Sequence, residues 1–187
     1  MAVEILFETH SLSTDNEQGI ASGWLPGRLS EQGRRLAAEL GARHRGDRLA
    51  AVFTSDLDRA VETAEIAFGG SGIAIRRDPR LRECDYGTLN GAPAAVIQAE
   101  RPAHVDLPFP GGESYGQVVD RVRAFLDELL PPFQGATVLV IGHSATRWAL
   151  DHLLRGADLA ALVGAPFEWR AGWTYTLAAR GDAPPPP

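Results

Sequence analysis

Thr137-Val138-Leu139-Val140-Ile141-Gly142-His143-Ser144 is the stretch that decides how this chain folds. From Thr137 to Ile141 the side chains are apolar or β-branched at odd and even positions alike. A strand with that pattern is covered on both faces, the habit of parallel strands enclosed between helices. A Gly-His-Ser turn ends the run, and residues 145–154 continue in helical register. Working outward, residues 3–8 (VEILFE), 50–54 (AAVFT), 73–76 (IAIR) and 174–177 (TYTL) read as further short strands. Between them lie helical patterns. Ser30 can cap residues 31–45, where Leu36, Ala37 and Leu40 share a face. Residues 56–68 keep Leu57, Ala60, Val61 and Ala64 in register. Residues 118–130 place Val118, Val122, Phe125 and Leu129 on one stripe, stopped by Pro131 and Pro132. Strand alternating with helix predicts an α/β layered fold around a mostly parallel sheet. Pro and Gly are dense in 79–112, which reads as a long, partly irregular segment.

The chain has 187 residues, enough for one domain, expected over 1–180, with the Pro-rich tail 181–187 a loose extension. Apolar residues make up 44% and charged residues 22%, with a net charge of −6. That balance excludes a disordered chain and argues against a general affinity for nucleic acid or acidic membrane. The single cysteine, Cys84, rules out an intrachain disulfide and a multi-cysteine zinc site. No apolar run approaches the roughly 18–20 residues of a membrane span. The start MAVEILFETH lacks the basic and apolar regions of a signal peptide. These features predict a soluble, cytoplasmic protein, and both monomer and homodimer are compatible with them.

In open α/β sheets ligands sit beyond the carboxyl ends of the strands. Thr9-His10-Ser11 follows the first predicted strand. Ser55-Asp56 follows the second, with Arg59 one helical turn on, and Gly142-His143-Ser144 follows the fourth. If these strands are neighbours, two histidines and an arginine meet at one edge. Such a set can bind a metal, or attack and hold a phosphoryl group, with an imidazole nucleophile, cations on the equatorial oxygens and a carboxylic acid for the leaving oxygen. Asp15-Asn16-Glu17 reads as loop chemistry, and neither an HExxH nor an EF-hand pattern is present. Gly69-Gly70-Ser71-Gly72 lacks the Lys-Ser/Thr of a phosphate-cradling loop. No metal or other cofactor is expected. His44, His104 and His152 are expected to have no catalytic part, Cys84 to be inert, and the four tryptophans to serve mainly in packing, with Trp24 and Trp148 candidates for a substrate face.

Six blocks, in order, carry a family resemblance. They are Thr9-His10-Ser11-Leu12-Ser13 with Asn16; Leu29-Ser30-Glu31-Gln32-Gly33-Arg34-Arg35-Leu36-Ala37; Ser55-Asp56-Leu57-Asp58-Arg59-Ala60-Val61-Glu62-Thr63-Ala64; Leu81-Arg82-Glu83 with Gly87; Pro110-Gly111-Gly112-Glu113-Ser114; and Val140-Ile141-Gly142-His143-Ser144. Together they resemble the histidine phosphatase superfamily, also called phosphoglycerate mutase-like. The resemblance implies a three-layer α/β/α sandwich and metal-independent hydrolysis of a phosphate monoester, a small phosphorylated metabolite, through a phosphohistidine. By the same resemblance His10 is the nucleophile, Arg59 and His143 hold the phosphoryl group, and Glu83 is the proton donor. Thr9, Ser11, Ser13, Asn16 and Ser144 are expected around the phosphate.

The pattern is broken where it matters. The family's arginine before the nucleophile is Thr9, which replaces a charged, bidentate donor by one neutral hydroxyl. Ser11 and Ser144 stand where glycines are usual, and Leu89 where a tryptophan is. Arg28 and Arg147 are candidates to restore the missing charge. The loss of the arginine motivates an alternative, a family member that binds a phosphorylated or anionic metabolite with little or no turnover. A mutase-type phosphotransferase is a further alternative. Bland readings stand beside these: Arg59 as a surface partner of Asp56 or Glu62, His143 as a helix cap, and Glu83 as part of a solvated cluster with Arg80, Arg82 and Asp85.

Overall fold

The computed structural model describes residues 1–178 apart from Phe167 and Trp169. The expected tail at 181–187, the last two residues of the expected domain and the packing role of Trp169 lie outside the described residues.

The strands are β1 (Val3–Thr9), β2 (Ile20–Ala21), β3 (Leu49–Thr54), β4 (Ile75–Arg77), β5 (Ala92–Pro93), β6 (Thr137–Gly142) and β7 (Trp173–Leu177). The helices are α1 (Thr14–Glu17), α2 (Glu31–Arg43), α3 (Asp58–Phe68), α4 (Ala94–Glu100), α5 (Tyr115–Leu129), α6 (Ser144–Arg155) and α7 (Leu159–Gly164). The main sheet runs β4-β3-β6-β1-β7, and β2 pairs separately with β5. All neighbours in the main sheet are parallel except the β1–β7 pair at one edge. Helices pack on both faces, so the fold is the expected three-layer α/β/α sandwich around a mostly parallel sheet.

Alternation of side chains along the strands makes the two cores. Val3, Ile5, Phe7, Val138 and Val140 point toward α5 and α6, where they meet Val122, Phe125, Leu126, Trp148 and Ala149. Val52, Leu139 and Ile141 point the other way, onto Leu40, Ala60, Ala64 and Phe68 of α2 and α3. The central strand β6 is buried on both faces, as TVLVI predicts. The edge strand β7 alternates between buried and exposed.

Local chemistry sets the helix ends. Ser30 accepts the Gly33 N–H at 3.0 Å and starts α2. A side chain at Gly33 would place its Cβ 1.9 Å from the Leu12 carbonyl oxygen, so only glycine lets α2 lie against the segment after β1. Ser114 and Gln117 form a reciprocal capping box, which starts α5 at Tyr115, three residues before the apolar stripe suggests. Gly156 closes α6 at φ +69°. Four further expectations shift. Helix α2 ends at Arg43, α3 begins at Asp58 rather than 56, the strand expected at 73–76 is β4 at Ile75–Arg77, and Asp15-Asn16-Glu17 lies in the one-turn helix α1, capped by Ser13. The irregular stretch 79–112 does contain 3₁₀ turns, but also β5 and α4. No described helix is long and apolar enough to cross a membrane.

Candidate active site

Parallel pairing brings the site together. Thr9 lies opposite Gly142, and Thr54 opposite Ile141, so β1, β3 and β6 end side by side. The pairing runs one residue further, with His10 N–H donating to the Gly142 carbonyl at 2.9 Å and Ser55 N–H to Ile141 at 3.3 Å. His10, Ser55 and His143 therefore leave the sheet at the same edge. The rings of His10 and His143 lie 5.0 Å apart, centroid to centroid.

Arg59 joins them. It sits in the first turn of α3, is buried, and donates from Nε to His10 Nε2 at 3.3 Å and from Nη2 to His143 Nδ1 at 3.4 Å. The rest of its fork holds the segment 23–28, through Gly23 O at 2.8 Å and Leu25 O at 3.4 Å. A guanidinium has only donors, so the ring nitrogens facing it carry lone pairs. His10 Nδ1–H accordingly donates to the Ser11 carbonyl at 2.7 Å, leaving Nε2 unprotonated. His143 Nε2 is 2.7 Å from Ser55 Oγ. With Nδ1 bare toward Arg59, the proton of the neutral His143 ring lies on Nε2 and is donated to Ser55 Oγ; the hydroxyl can donate in turn when the ring takes the other tautomer.

Burial, and then the charge of Arg59, lower the His10 pKa to about 3. The same causes, in the same order, hold His143 well below the usual imidazole value. Both rings are neutral at pH 7. The carboxyl of Glu83 is pushed the other way by burial, upward, against the N–H of Cys84 at 2.8 Å, the charge of Arg59 and the N–H of Ala145 at 3.2 Å. Its Oε1 thus sits at the N-terminus of α6, beside His143. The Glu83 carbonyl takes the Trp24 indole N–H at 2.7 Å and Arg121 Nη2 at 3.0 Å, which fixes the loop that carries this carboxyl.

The solvated-cluster reading of Glu83 does not hold. Arg80 pairs with Asp78 and Glu128, Arg82 with Asp56, and Asp85 accepts from Gly87 and Asn90. Nor is Arg59 a surface partner, since Asp56 is bound to Arg82 and Glu62 to Arg34 and the Leu29 N–H.

A cavity of about 490 Å³ opens beside the imidazoles, lined by Thr9, His10, Ser11, Asn16, His143 and Ser144 at one end. Leu12, with Leu36 and Leu40 of α2, forms its apolar wall, and Glu8, Glu39 and Arg43 are its charged lining residues. Ser13 is a correction. It was expected beside the phosphate, but is fully buried and caps α1, with Asn16 N–H donating to its hydroxyl and its own N–H to Asn16 Oδ1, both at 3.1 Å. Neither candidate replacement for the missing arginine reaches the site. Arg147 lies 3.2 Å from Asp151 and stacks over Trp173, and Arg28 is exposed and does not line the cavity. A second cavity of about 500 Å³ is lined by Glu8, Arg43, His44, Asp47, Arg170 and Trp173 and contains neither imidazole of the pair. Among the described residues no group of three or more His, Cys, Asp or Glu side chains is placed to hold a metal ion.

Two residues of the block that carries Arg59 position the site in ways the sequence did not assign: Ser55 was placed at the ligand edge but given no partner, and Thr63 was given no part. Ser55 holds His143. Thr63, fully buried, accepts the Ser11 N–H at 3.0 Å and donates to the Arg59 carbonyl at 2.7 Å. Its one-turn spacing from Arg59 on α3 was the available signal.

A mostly parallel α/β/α sandwich with this imidazole–guanidinium–imidazole cluster at its carboxyl edge defines the phosphoglycerate mutase-like class. The chain belongs to the histidine phosphatase superfamily (branch 1), which it matches over residues 5–173. It is 28% identical over 166 residues to phosphoserine phosphatase 1 of Hydrogenobacter thermophilus, covering 84% of this chain and 79% of that protein. To a 2,3-bisphosphoglycerate-dependent phosphoglycerate mutase of Parvibaculum lavamentivorans it is 34% identical over 149 residues, 72% of this chain and 71% of the other. Among solved structures, Bacillus stearothermophilus YhfR superposes with a TM-score of 0.82 at 27% identity, covering 97% and 98% of the two chains. A mycobacterial glucosyl-3-phosphoglycerate phosphatase complexed with VO3 gives 0.76 at 26% identity, with 87% of each chain covered.

Proposed function

We propose that this protein hydrolyses a phosphate monoester, a small phosphorylated metabolite, through a phosphohistidine on His10. The observation that carries the reading is the state of His10: a neutral ring whose Nδ1–H is tied to the Ser11 carbonyl, so that the lone pair is on Nε2, 3.3 Å from a buried guanidinium. On binding, the phosphoryl oxygens take over the Arg59 N–H groups now given to His10 and His143, and Nε2 is freed. Nε2 attacks phosphorus, Arg59 and His143 hold the equatorial oxygens, and Ser11, Asn16 and Ser144 line the site. Glu83 gives its proton to the leaving oxygen as the P–O bond breaks. It then takes one from the water that cleaves the N–P bond, which returns the neutral imidazole. Phosphatase-named relatives support this direction.

The test is acid-labile phosphate. Brief incubation with 4-nitrophenyl phosphate followed by alkaline quench is expected to leave phosphate on His10, and His10→Ala to lose both the label and turnover while keeping the wild-type circular dichroism. Hydrolysis by His10→Ala at the parent rate refutes the mechanism. One observation favours a second reading, binding without turnover: no guanidinium takes the place of the missing arginine at Thr9. Under it, titration calorimetry with inorganic phosphate shows binding that Arg59→Ala abolishes, and no phosphomonoester of a broad panel is cleaved. The mutase alternative, suggested by the mutase-named relatives, requires the label on His10 to pass to a hydroxyl acceptor faster than to water.

A further inference from the structure

In-line attack places the leaving oxygen opposite His10 Nε2, on the side of the proposed acid Glu83. The 490 Å³ cavity is lined by neither Glu83 nor Arg59, but by His10, Thr9, Leu12, Leu36 and Leu40. It lies on the Thr9 side of the His10 ring, away from Glu83, so an organic group in it hangs from a retained oxygen and not from the leaving one. The side chain of Thr9 is short and its hydroxyl makes no hydrogen bond among the described residues; Leu12, Leu36 and Leu40 give the cavity its apolar wall, and of its charged residues Glu8 is paired with Arg43 and His44. The volume falls in the ordinary range of small-molecule sites, about 300–1,000 Å³.

Charge points the same way. The phosphoryl site offers one guanidinium, Arg59, between two neutral imidazoles. Arg43 is committed to Glu8 at 3.1 Å, Arg147 is turned to Asp151, and Arg28 lies outside the lining. A monoester dianion asks such a site to hold two charges, and a diester asks it to hold one. Resting on the His10 reading above, we propose that this protein also cleaves phosphodiesters, with the retained, apolar ester group seated between Thr9 and the Leu36–Leu40 face of α2.

The chemistry balances without a further reactant. His10 Nε2 bonds to phosphorus, the P–O bond to the leaving group breaks, and that oxygen takes the Glu83 proton. The intermediate is a phosphohistidine that still carries one ester. Water attacks it, Glu83 recovers the proton, and the products are an alcohol and a phosphate monoester.

The experiment compares 4-nitrophenyl phenyl phosphate with 4-nitrophenyl phosphate, which share a leaving group, by initial rates of 4-nitrophenolate release. The wild type is expected to cleave both, in a His10-dependent way. Thr9→Arg, which fills the cavity and adds a charge, should lower the diester-to-monoester ratio of kcat/KM at least tenfold. Thr9→Met, which fills it without charge, should also lower the diester-to-monoester ratio of kcat/KM at least tenfold, and serves if the arginine variant does not fold. Monoester cleavage with no diester cleavage overturns this inference and leaves the His10 mechanism standing. Cleavage of both with a ratio that neither variant moves overturns the seat at Thr9. Cleavage of neither overturns the His10 mechanism, and the inference with it.

Discussion

Thr63→Val removes one oxygen and almost no volume, and it should damage both the fold and the turnover of this protein. The hydroxyl of Thr63 links two parts of the site: it accepts the N–H of Ser11, the residue after His10, and it donates to the carbonyl of Arg59. The Arg59 carbonyl keeps its helical bond in the variant. The Ser11 N–H is left buried without an acceptor, since Thr63 is fully buried and Ser11 nearly so. An orphaned buried donor costs about 1–3 kcal/mol, so the variant should lose about 2 kcal/mol. For a chain of this length that is about 4–8 °C in the thermal midpoint, or about 1 M in the urea midpoint.

Activity should follow geometry. A backbone that shifts to find another acceptor for Ser11 moves the adjoining His10 ring, and a misplacement of about 1 Å can cost about 10²-fold in rate. Thr63→Val should therefore lower kcat for 4-nitrophenyl phosphate tenfold or more, at nearly constant KM. Thr63→Ser keeps the oxygen and loses a methyl, which costs about 1 kcal/mol, and should restore kcat. If the valine variant is as stable as the serine variant, or loses KM rather than kcat, Thr63 does not position the nucleophile.

Arg59→Lys keeps a charge but cannot span two imidazoles and two carbonyls at once. It should lower kcat by about 10²–10³-fold, the usual cost of a lost donor to the transition state, measured by steady-state kinetics. In the pH profile of kcat/KM, activity requires His10 unprotonated and so falls as pH drops through its pKa. That acid limb should lie well below the value of about 6.5 for a free imidazole, toward about 3. Activity also requires Glu83 protonated, and falls as pH rises through its raised pKa; Glu83→Gln should abolish that alkaline limb and lower kcat by about 10²–10⁴-fold. Away from the site, His44 caps α2 and bridges the buried Glu8 at 2.9 Å and Asp47 at 2.7 Å, and the hydrogen bond to Glu8 is the main cause that raises its pKa. A raised imidazole contributes stability that is full below the unfolded value and fades as pH climbs through the folded one. Urea unfolding should show His44→Gln losing about 1–2 kcal/mol at pH 6 and much less at pH 9.

The sheet and the edge where the chemistry gathers were legible in the sequence because each rests on a local pattern. TVLVI is buried on both faces whatever surrounds it, and the residue after a strand's last apolar position must leave the sheet there. Hence His10, Ser55 and His143 could be set on one edge before any contact was known. What escaped depends on partners distant along the chain. Ser13 was expected at the phosphate through the family resemblance; it stands four residues past β1, and Asn16, closing a capping box with it, turns its hydroxyl to the start of α1. Arg147 stands one turn past His143, yet the helical phase of α6 turns it to Asp151 and Trp173. The start of α5 was hidden for a similar reason: Ser114 and Gln117 cap it ahead of the apolar stripe. Helices α1, α4 and α7 are short and carry little periodicity to read.

One guanidinium, Arg59, holds the site together. Arg59 gives N–H groups to both imidazoles and to the carbonyls of Gly23 and Leu25. An incoming anion competes with all four acceptors for the same donors. The two carbonyls belong to one short segment, so an anion that draws Arg59 toward itself also loosens that segment. Gly23 resists the movement: its φ is +55°, and a Cβ there would lie 1.8 Å from the Asn90 side-chain oxygen, so the start of the segment is locked against the loop between the acid Glu83 and β5. With a second arginine at position 9 the anion would be held independently, and Arg59 could remain with the segment. With threonine there, the binding of charge and the position of the segment 23–28 depend on one side chain. A substrate is then selected by how little charge it brings and how much apolar surface it lays against α2, and the weak point of the phosphoryl site becomes the source of its selectivity.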